Sequence, residues 1–310
     1  MGLRHKDLVS ISQLTSDEIM LILDTAESFK EVSERPIKKV PTLRGRTIVM
    51  LFLEPSTRTR TYFELAAKRL SADTVNISKS TSAVAKGESI KDTAQTIEAM
   101  AADLVAIRHS ASGSAELLAK YMKCAVVNAG DGSHEHPTQS LLDLFTIRQE
   151  FGTLNGLKVA IVGDILHSRV ARSNILALKK VGSDVIVVGP PTLIPKDVEE
   201  LGVKVSYELD SVLPEVDILY LLRIQLERQD EPLFPSLREY AALYGLNKKR
   251  LQATKPDLIV MHPGPINRGV EIAPEIADMP QAVITSQVTN GVAVRMAVLY
   301  LLLGGVENGE

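Results

Sequence analysis

Short apolar segments alternate with amphipathic segments along most of this chain of 310 residues. Ahead of that alternation, Thr15 followed by Glu18 predicts a helix that begins with a capping box. The apolar segments have the length of buried strands and lie at residues 47–53, 74–77, 104–107 and 125–128. Helical patterns lie between and after them at residues 59–70, 89–101, 114–121 and from Pro137 to Gly152. This alternation predicts a parallel sheet that is covered by helices on both faces.

The same alternation starts again after residues 152–156, a segment bounded by glycines. Further strands are predicted at residues 158–162, 184–188, 203–206, 218–222 and 258–261, with a helix at 170–181. The last helical pattern, residues 292–303, is apolar on nearly all sides and is expected to pack in a core. We predict an α/β protein of two similar domains, each a parallel sheet flanked by helices, with the C-terminal helix packing back on the first domain. The predicted domains are residues 1–150 with about 290–310, and residues 151–289.

Composition and charge exclude several classes of protein. With 45% hydrophobic and 24% charged residues, the chain is neither disordered nor fibrous. Its net charge of -3 lacks the basic excess of a nucleic-acid-binding protein, so we expect no nucleic-acid partner. The single cysteine, Cys124, rules out a disulfide within the chain and fits a reducing compartment. Residues 296–303 are too short an apolar stretch to span a membrane, and the first ten residues contain no apolar segment, so we expect a cytoplasmic protein with no membrane partner.

Hydroxyl and guanidinium groups cluster after the first predicted strand. Ser56, Thr57 and Thr59 alternate with Arg58 and Arg60 where that strand leads into a helix. Free amides at a helix start bind anions, and arginine binds phosphate through parallel hydrogen bonds. The segment therefore predicts an anion site, although capping hydroxyls beside solvated arginines would produce the same pattern. It lacks the glycine and lysine spacing of a P-loop.

A second cluster follows the fourth predicted strand, in a loop that contains His134, Glu135 and His136. Pro137 is expected to be the first residue of the next helix, which would place His136 and Gln139 at its start. There a histidine can donate to a carbonyl oxygen, and a glutamine can both donate and accept. A metal site of His134, Glu135 and His136 is an alternative, but adjacent residues rarely converge on one ion, so we expect no metal.

The second half of the chain carries arginines in two loops that follow predicted strands. Arg169 and Arg172 come after strand 158–162, at a position where a dinucleotide-binding fold would have its glycine fingerprint. That fingerprint is absent, so NAD is not expected. Arg223 and Gln225 follow the predicted strand at 218–222. Arginine pairs with carboxylates through two hydrogen bonds, so the two loops favour a dicarboxylate ligand, whereas a diamine would require acidic residues.

In their order along the chain, these clusters resemble the signatures of the aspartate and ornithine carbamoyltransferases. Residues 56–60 read Ser-Thr-Arg-Thr-Arg and residues 136–139 read His-Pro-Thr-Gln, as in the carbamoyl-phosphate site of that family. Residues 223–228 read Arg-Ile-Gln-Leu-Glu-Arg, which is similar to its aspartate-specific members. Ornithine-specific members have a His-Cys-Leu-Pro motif where residues 262–265 here read His-Pro-Gly-Pro. The resemblance covers essentially the whole chain.

The resemblance implies an enzyme that works without a cofactor. It would transfer the carbamoyl group from carbamoyl phosphate to the α-amine of L-aspartate, giving N-carbamoyl-L-aspartate and phosphate, the committed step of pyrimidine biosynthesis. Two alternatives remain at this stage. One is a carbamoyltransferase with another amino-acid acceptor, such as ornithine. The other is an anion-binding protein without catalytic activity.

The resemblance also implies roles for individual residues. The catalytic residues would be Arg58, Thr59, Arg108 and His136. Carbamoyl phosphate would also contact Ser56, Thr57, Gln139, Pro263 and Gly264, the last two through their backbone. Aspartate would contact Lys86, Arg169, Arg223 and Gln225, and Glu54 would hold an arginine of the aspartate loop. Many aspartate-specific members have leucine at the position of Gly264, so this glycine departs from the pattern.

A homotrimer with shared active sites is a further implication of the resemblance. The polar segment 78–87 would form a mobile loop that reaches the site of the neighbouring subunit. Ser82 and Lys86 would act there, because they keep the spacing found in the family. Besides small-molecule substrates, the resemblance leaves open a regulatory chain or a dihydroorotase as a partner.

Overall fold

The computed structural model describes residues 2–78, 88–225 and 233–304. The chain forms two compact units, Met1–Phe145 with Thr289–Glu310, and Thr146–Val288. Each unit contains one parallel sheet with helices on its faces, so the predicted fold class is confirmed. The predicted segment of Ser82 and Lys86 lies outside the described residues, as do Glu227 and Arg228.

The predicted helices and strands occur in the predicted order, and the described part of the second half contains four further helices that the sequence did not predict. In the first half of the chain they are α1 (Ser16–Glu34), β1 (Thr47–Phe52), α2 (Thr57–Arg69), β2 (Asp73–Ser78), α3 (Ile90–Ala99), β3 (Leu104–His109), α4 (Ser114–Tyr121), β4 (Ala125–Asp131) and α5 (Pro137–Phe151). In the second half they are β5 (Lys158–Val162), α6 (Arg169–Lys180), β6 (Asp184–Val188), β7 (Lys204–Ser206), α7 (Leu209–Val212), β8 (Ile218–Leu221), α8 (Leu237–Tyr244), α9 (Lys248–Leu251), β9 (Ile259–Met261), α10 (Pro274–Ala277) and α11 (Ile284–Leu303).

The sheet of the first unit has the strand order β2-β1-β3-β4, and all its neighbouring strands are parallel. Five of the six residues of β1 are buried, as expected for a continuous apolar strand in the middle of a sheet. One face packs into a core that includes Val49, Leu51, Val105 and Ile107. The edge strand β2 is largely exposed or half-buried, because it has a neighbour on one side only.

Local sequence signals set the ends of two helices in this half of the chain. Thr15 accepts a hydrogen bond from the Glu18 amide, and Glu18 in turn accepts one from the Thr15 amide, so the predicted capping box is confirmed. Pro137 is the first residue of α5, where its missing N–H costs nothing. That helix ends before Gly152, whose φ of 72° is the left-handed conformation that favours glycine.

The sheet of the second unit has the strand order β7-β6-β5-β8-β9 and is also parallel throughout. Strands β5 and β6 have the bounds that the sequence predicts. Alternate side chains of β5 and β8, such as Ala160, Val162, Leu219 and Leu221, pack into one core with α8. This core fixes the strand ends that carry the candidate site.

The helix α11 begins eight residues earlier than the apolar pattern predicts. Its first two turns contain buried polar residues, including Gln287 and Asn290, which an apolar pattern cannot detect. Among the described residues, α11 is the one helix whose length and composition would allow it to cross a membrane. Of its most apolar window, 67% is buried within the structure. The ring of Tyr300 packs edge-on against that of Phe29 in α1, with 5.6 Å between centroids, so α11 is a core helix that packs back on the first unit.

Candidate active site

Each sheet reverses its strand order at one point, and four of the predicted arginines lie at the ends of the strands there. In the first unit β1 lies between β2 and β3, and in the second β5 lies between β6 and β8. Ligands of open parallel sheets bind beyond the carboxyl ends of the strands at such a reversal. The segment after β1 carries Arg58 and the end of β3 carries Arg108, while the segments after β5 and β8 carry Arg169 and Arg223.

The start of α2 lacks a side-chain cap. Ser56 is the N-cap residue, with extended backbone, but its hydroxyl makes no capping hydrogen bond. Thr57 and Arg58 in the first turn are exposed, whereas Thr59 is buried. The first amides of a helix have no partner within the helix, and its dipole places about half a positive charge there. This helix start therefore suits an anion such as phosphate.

Arg108 is held at the end of β3, beside the residues that lead into α2. It pairs with Phe52 in the parallel register, and its carbonyl accepts a hydrogen bond of 2.9 Å from the Leu53 amide. Its Nη2 lies 2.8 Å from Oε1 of Glu54, and its Nη1 donates to the Ala129 carbonyl at 3.2 Å. Both side chains of the ion pair are largely buried, with exposures of 13% and 20%. The ion pair fixes the guanidinium at the strand reversal. Glu54, which the resemblance assigns to an arginine of the aspartate loop, forms an ion pair with Arg108 in this structure.

His136 and Gln139 lie at the start of α5 and are both buried. Gln139 Nε2 donates to Oδ1 of Asp143 at 3.1 Å, one helical turn further on. Nε2 is the donor in this contact, so the other atom of the side-chain amide, Oε1 of Gln139, is the one that can accept a hydrogen bond. Asp143 was not predicted from the sequence, although the spacing of four residues within a helix is the signal that could have identified it.

His134 and Glu135 form hydrogen bonds that hold the loop between β4 and α5 in place. The Nδ1 atom of His134 lies 3.1 Å from Oδ2 of Asp131, and Glu135 accepts hydrogen bonds from Ser10 and from the Ile11 amide. Burial of Asp131 favours its neutral form, but hydrogen bonds from His134, Asn128 and the Gly113 amide outweigh this and lower its pKa. Among the described residues, no group of three or more His, Cys, Asp or Glu could hold a metal ion.

The turn between β5 and α6 is built differently from the start of α2. Asp164 is fully buried and accepts from the His167 amide at 3.1 Å, and it also pairs with His167 Nδ1 at 2.9 Å. The hydroxyl of Ser168 caps α6 by accepting from the Ala171 amide at 3.1 Å. Arg169 follows it and is buried, whereas Arg172, on the same helix, is exposed.

The end of β8 lies against this turn. Leu222 donates its amide to the Val162 carbonyl at 2.8 Å, and Gln225 makes a long contact of 3.5 Å from Nε2 to the His167 carbonyl. A Cβ added to Gly163 would lie 3.1 Å from Cβ of Leu222, so the two segments approach as closely as a glycine allows. The structure thus places Gln225 beside the helix start that carries Arg169.

Pro263 and Gly264 follow β9 in the second unit. Gly264 has a φ of 62°, in the left-handed region that favours glycine. Its amide donates to Nδ1 of His262 at 2.7 Å. This contact with the histidine was not predicted from the sequence.

Comparison with known proteins identifies the family of this chain. The model of the aspartate/ornithine carbamoyltransferase carbamoyl-phosphate binding domain matches residues 6–149, and that of the aspartate/ornithine binding domain matches residues 155–302. The aspartate carbamoyltransferase catalytic subunit of Moorella thermoacetica is 61% identical over 305 residues, which are 98% of this chain and 99% of the relative.

Solved structures from both branches of the family have the same fold. Aspartate transcarbamoylase from Trypanosoma cruzi, in complex with carbamoyl phosphate and aspartate, has a TM-score of 0.89 at 30% identity, covering 97% of this chain and 98% of its own. Ornithine carbamoyltransferase from Pyrococcus furiosus has a TM-score of 0.87 at 30% identity, covering 99% of this chain and 100% of its own. The fold alone therefore does not separate the branches, whereas the 61% identity is to a relative named aspartate carbamoyltransferase catalytic subunit. The chain belongs to the aspartate/ornithine carbamoyltransferase family.

Proposed function

We propose that this chain transfers the carbamoyl group from carbamoyl phosphate to the α-amine of L-aspartate, giving N-carbamoyl-L-aspartate and phosphate. One observation carries the proposal. The start of α2, which has no side-chain cap, follows β1, and Arg108 lies at the end of the neighbouring strand β3. This arrangement suits a phosphate ester with a reactive carbonyl group. Identity to relatives named aspartate carbamoyltransferase favours aspartate as the acceptor and a place in pyrimidine biosynthesis.

Carbamoyl phosphate binds at the strand reversal of the first unit. Ser56, Thr57 and Arg58 hold its phosphate group, supported by the first amides and the dipole of α2. Thr59, Arg108 and His136 donate to the carbonyl oxygen, which is where negative charge develops. Thr59 and His136 are buried, which strengthens their hydrogen bonds because the surroundings are less polar than water.

The amino group of the carbamoyl moiety requires acceptors, and two parts of the chain supply them. Gln139 donates through Nε2 to Asp143, so its Oε1 is left to accept from the substrate. The carbonyls of Pro263 and Gly264 are the second set, assigned by the resemblance. Acceptors at this group distinguish a carbamoyl phosphate from an acyl phosphate that carries a methyl group instead.

Aspartate binds at the strand reversal of the second unit. Arg169 pairs with its α-carboxylate, and Arg223 and Gln225 with its side-chain carboxylate, with Lys86 as a further cation. Two carboxylates per acceptor match two arginine-bearing segments after β5 and β8. Ornithine carries a second amine in place of the second carboxylate and would meet the Arg223 segment with like charge.

The reaction is a direct displacement. The neutral α-amine attacks the carbamoyl carbon, a C–N bond forms, and the carbonyl oxygen becomes an oxyanion that Thr59, Arg108 and His136 stabilise. The bond from carbon to the phosphate oxygen then breaks, and phosphate leaves with the electron pair. The departing phosphate takes the amine proton, so no separate protein base is needed. Correct placement of both substrates supplies much of the acceleration, and no cofactor takes part.

A product assay with a panel of amino acids tests the proposal. Wild-type protein with carbamoyl phosphate should form N-carbamoyl-L-aspartate, and ornithine should give no more than background. Comparable rates with the two acceptors would contradict the assignment of aspartate. Phosphate binding without any carbamoylated product would instead support a non-catalytic anion-binding protein.

We further propose a cytoplasmic homotrimer whose loop residues Ser82 and Lys86 act in the site of a neighbouring subunit. Mixing two inactive variants tests the sharing of sites. Lys86→Ala removes the donated cation and Arg58→Ala damages the receiving phosphate site, so mixed trimers should regain activity at the interfaces that combine two intact halves. Each variant refolded alone is the matched control. No gain of activity, although mixed trimers demonstrably form, would show that Lys86 does not act across subunits.

A further inference from the structure

Glu135 carries a buried carboxylate beside the histidine of the proposed mechanism, and that mechanism does not use it. It lies in the loop between β4 and α5, directly before His136, and is 1% exposed. Burying a carboxylate is costly unless hydrogen-bond donors surround it. Its oxygens accept from the Ser10 hydroxyl and, at 2.9 Å, from the Ile11 amide. These donors lie 125 and 124 positions earlier in the chain, so the carboxylate joins two distant segments of the first unit.

The segment that supplies these donors, residues 8–11, is itself fixed to the sheet. The Leu8 amide donates to the Val126 carbonyl at 2.8 Å, and the Asn128 amide donates to the Leu8 carbonyl at 2.9 Å. The side chain of Asn128 also donates, through Nδ2, to the Val9 carbonyl at 3.0 Å. Segment 8–11 thus begins parallel to β4, which gives the Ser10 hydroxyl a defined position relative to the sheet.

The backbone of Glu135 is held within its own loop. Its amide donates to Oδ1 of Asp131 at 3.2 Å, and its carbonyl accepts from the Asp131 amide at 3.2 Å. On the other side, the carbonyl of His136 accepts from the Gln139 amide at 2.9 Å, in the first turn of α5. His136 therefore lies between a helix start and a residue whose side chain is bound to segment 8–11.

Such support matters because of the task that the proposed function gives to His136. A donor to a developing oxyanion is effective only when it is already in place as the charge appears. Supporting contacts must hold such a group to within about 0.5 Å of its working position. Removing the Glu135 carboxylate would leave the Ser10 hydroxyl and the Ile11 amide without this buried acceptor, and the loop would lose its link to segment 8–11 through residue 135.

We propose that Glu135 is a positioning residue for His136, because it ties the loop that carries the histidine to segment 8–11 and through it to β4. The proposal rests on the function proposed above, since it concerns how one donor of that function is held. It predicts that the effect of Glu135 on the reaction passes through His136 and disappears when the histidine side chain is absent.

A double-mutant cycle tests this dependence. Glu135→Ala should lower kcat by about tenfold or more, since a misplacement of about 1 Å can cost a hundredfold. In the background of His136→Ala, the same substitution should change kcat by less than about twofold, because the group that it displaces is already gone. A general structural role would instead lower kcat by the same factor in both backgrounds. Steady-state kinetics at saturating substrates measure all four chains.

Two further variants separate positioning from loss of a buried carboxylate as such. Glu135→Gln keeps an oxygen acceptor for the Ile11 amide and should restore most of the kcat that Glu135→Ala loses. Glu18 is the matched control, because it is 6% exposed and accepts from the Arg4 and Thr15 amides at 3.0 and 2.9 Å. Glu18→Ala should lower the free energy of unfolding but leave kcat near the wild-type value.

A binding measurement checks the same dependence without turnover. Phosphonoacetamide carries a phosphonate and a carbonyl group, whereas inorganic phosphate has no carbonyl group for His136 to contact. By calorimetry, Glu135→Ala should weaken phosphonoacetamide binding about threefold or more when His136 is present and leave it unchanged in His136→Ala. Inorganic phosphate should bind all four chains of the cycle alike.

Equal losses of kcat in the two backgrounds would overturn the proposal, as would a loss of inorganic phosphate binding in Glu135→Ala equal to that of phosphonoacetamide. A fall of kcat in Glu18→Ala as large as that in Glu135→Ala would also overturn it. If Glu135→Ala does not fold, the cycle is carried out with Ser10→Ala, which removes one donor to the carboxylate. A wild-type chain that forms no carbamoyl-aspartate would refute the proposed function, and the calorimetric cycle would then decide the positioning role by itself.

Discussion

The helix starts of α2 and α6 share a plan but differ in what remains available to a ligand. Each follows a strand at the reversal of its sheet, and each begins with a serine followed within two residues by an arginine. The hydroxyl of Ser168 caps α6, and Arg169 is buried. Ser56 makes no capping hydrogen bond, and Arg58 is exposed. The start of α2 is therefore open to an anion through hydroxyl, amides and dipole together, whereas α6 presents mainly an arginine.

This difference matches the chemistry of the two substrates. Phosphate has several oxygens and leaves as product, which suits a helix start with many exchangeable donors. An amino-acid carboxylate is planar, and a guanidinium held by burial matches it with two parallel hydrogen bonds. Under the proposed function, the same arrangement of strand and helix serves either ligand, and we expect the state of the capping serine to contribute to which one binds.

Replacing Arg108 should have the largest effect and is the most severe test of the proposed carbamoyl phosphate site. Arg108→Ala removes a donor to the developing oxyanion, and the loss of one such donor lowers kcat by about 10²–10³-fold. Arg46→Ala is the matched control, because Arg46 forms an ion pair of 2.7 Å with Asp103 at the opposite end of the same strands. That pair is more exposed, so its loss should change stability by about 1 kcal/mol or less and leave kcat unchanged. Similar kcat values for the two variants would contradict the assignment.

The arginines of α6 offer the next comparison. Arg169→Ala should lower kcat/KM for aspartate by about tenfold to a hundredfold, since a hydrogen bond to a charged group contributes about 1.5–3 kcal/mol. Arg172→Ala, on the same helix but exposed, should leave kcat/KM near the wild-type value. Steady-state kinetics at saturating carbamoyl phosphate measure both, after thermal unfolding has shown that the variants are folded. An equal loss in the two variants would mean that burial does not distinguish the ligand-binding arginine.

The smallest expected effects come from the two capping serines, and they should be opposite in kind. Ser168→Ala removes a capping hydrogen bond and should lower the free energy of unfolding by about 1 kcal/mol, with little effect on carbamoyl phosphate binding. Ser56→Ala removes no capping bond, so stability should hold while carbamoyl phosphate affinity falls by about 0.5–1.5 kcal/mol. Chemical denaturation and calorimetric titration give the two quantities. The same response in both variants would remove the basis of the comparison.

The sequence predicted the layout of the fold well because strand and helix periodicity is a local property. Strands β5 and β6 have the predicted bounds, and β1 differs by one residue at its end. The start of α11 was missed because its first turns bury polar residues, which carry no apolar pattern. Helix boundaries that depend on tertiary hydrogen bonds leave no such periodic signal.

Long-range polar contacts were the least predictable part of the candidate site. The segments that carry it could be located, because they follow apolar strands. The contact between Glu54 and Arg108 joins residues 54 positions apart, and that between Gln225 and the His167 carbonyl joins residues 58 positions apart. Sequence spacing indicates neighbours within a helix or along a strand, but such contacts are created only when the sheet assembles.

Arg295 shows a further limit of pattern-based prediction. It lies in the apolar part of α11 and is fully buried against the rings of Tyr62 and Phe63, at 5.1 and 5.2 Å from their centroids. Its Nη1 donates to the Gly291 carbonyl at 2.8 Å, and burial lowers its pKa to about 10. A charged residue within an apolar segment is usually expected to reach solvent. Here the guanidinium packs instead against two aromatic rings, in cation–π contacts.

Calorimetric titration of carbamoyl phosphate into Arg223→Ala, without aspartate, most directly tests the assignment of one substrate to each strand reversal. Arg223 follows β8 in the second unit, so its loss should leave the dissociation constant of carbamoyl phosphate within about twofold of wild type. The KM for aspartate of the same variant should rise by an amount equivalent to about 1.5–3 kcal/mol. A carbamoyl phosphate affinity that falls as far as aspartate use does would contradict the account.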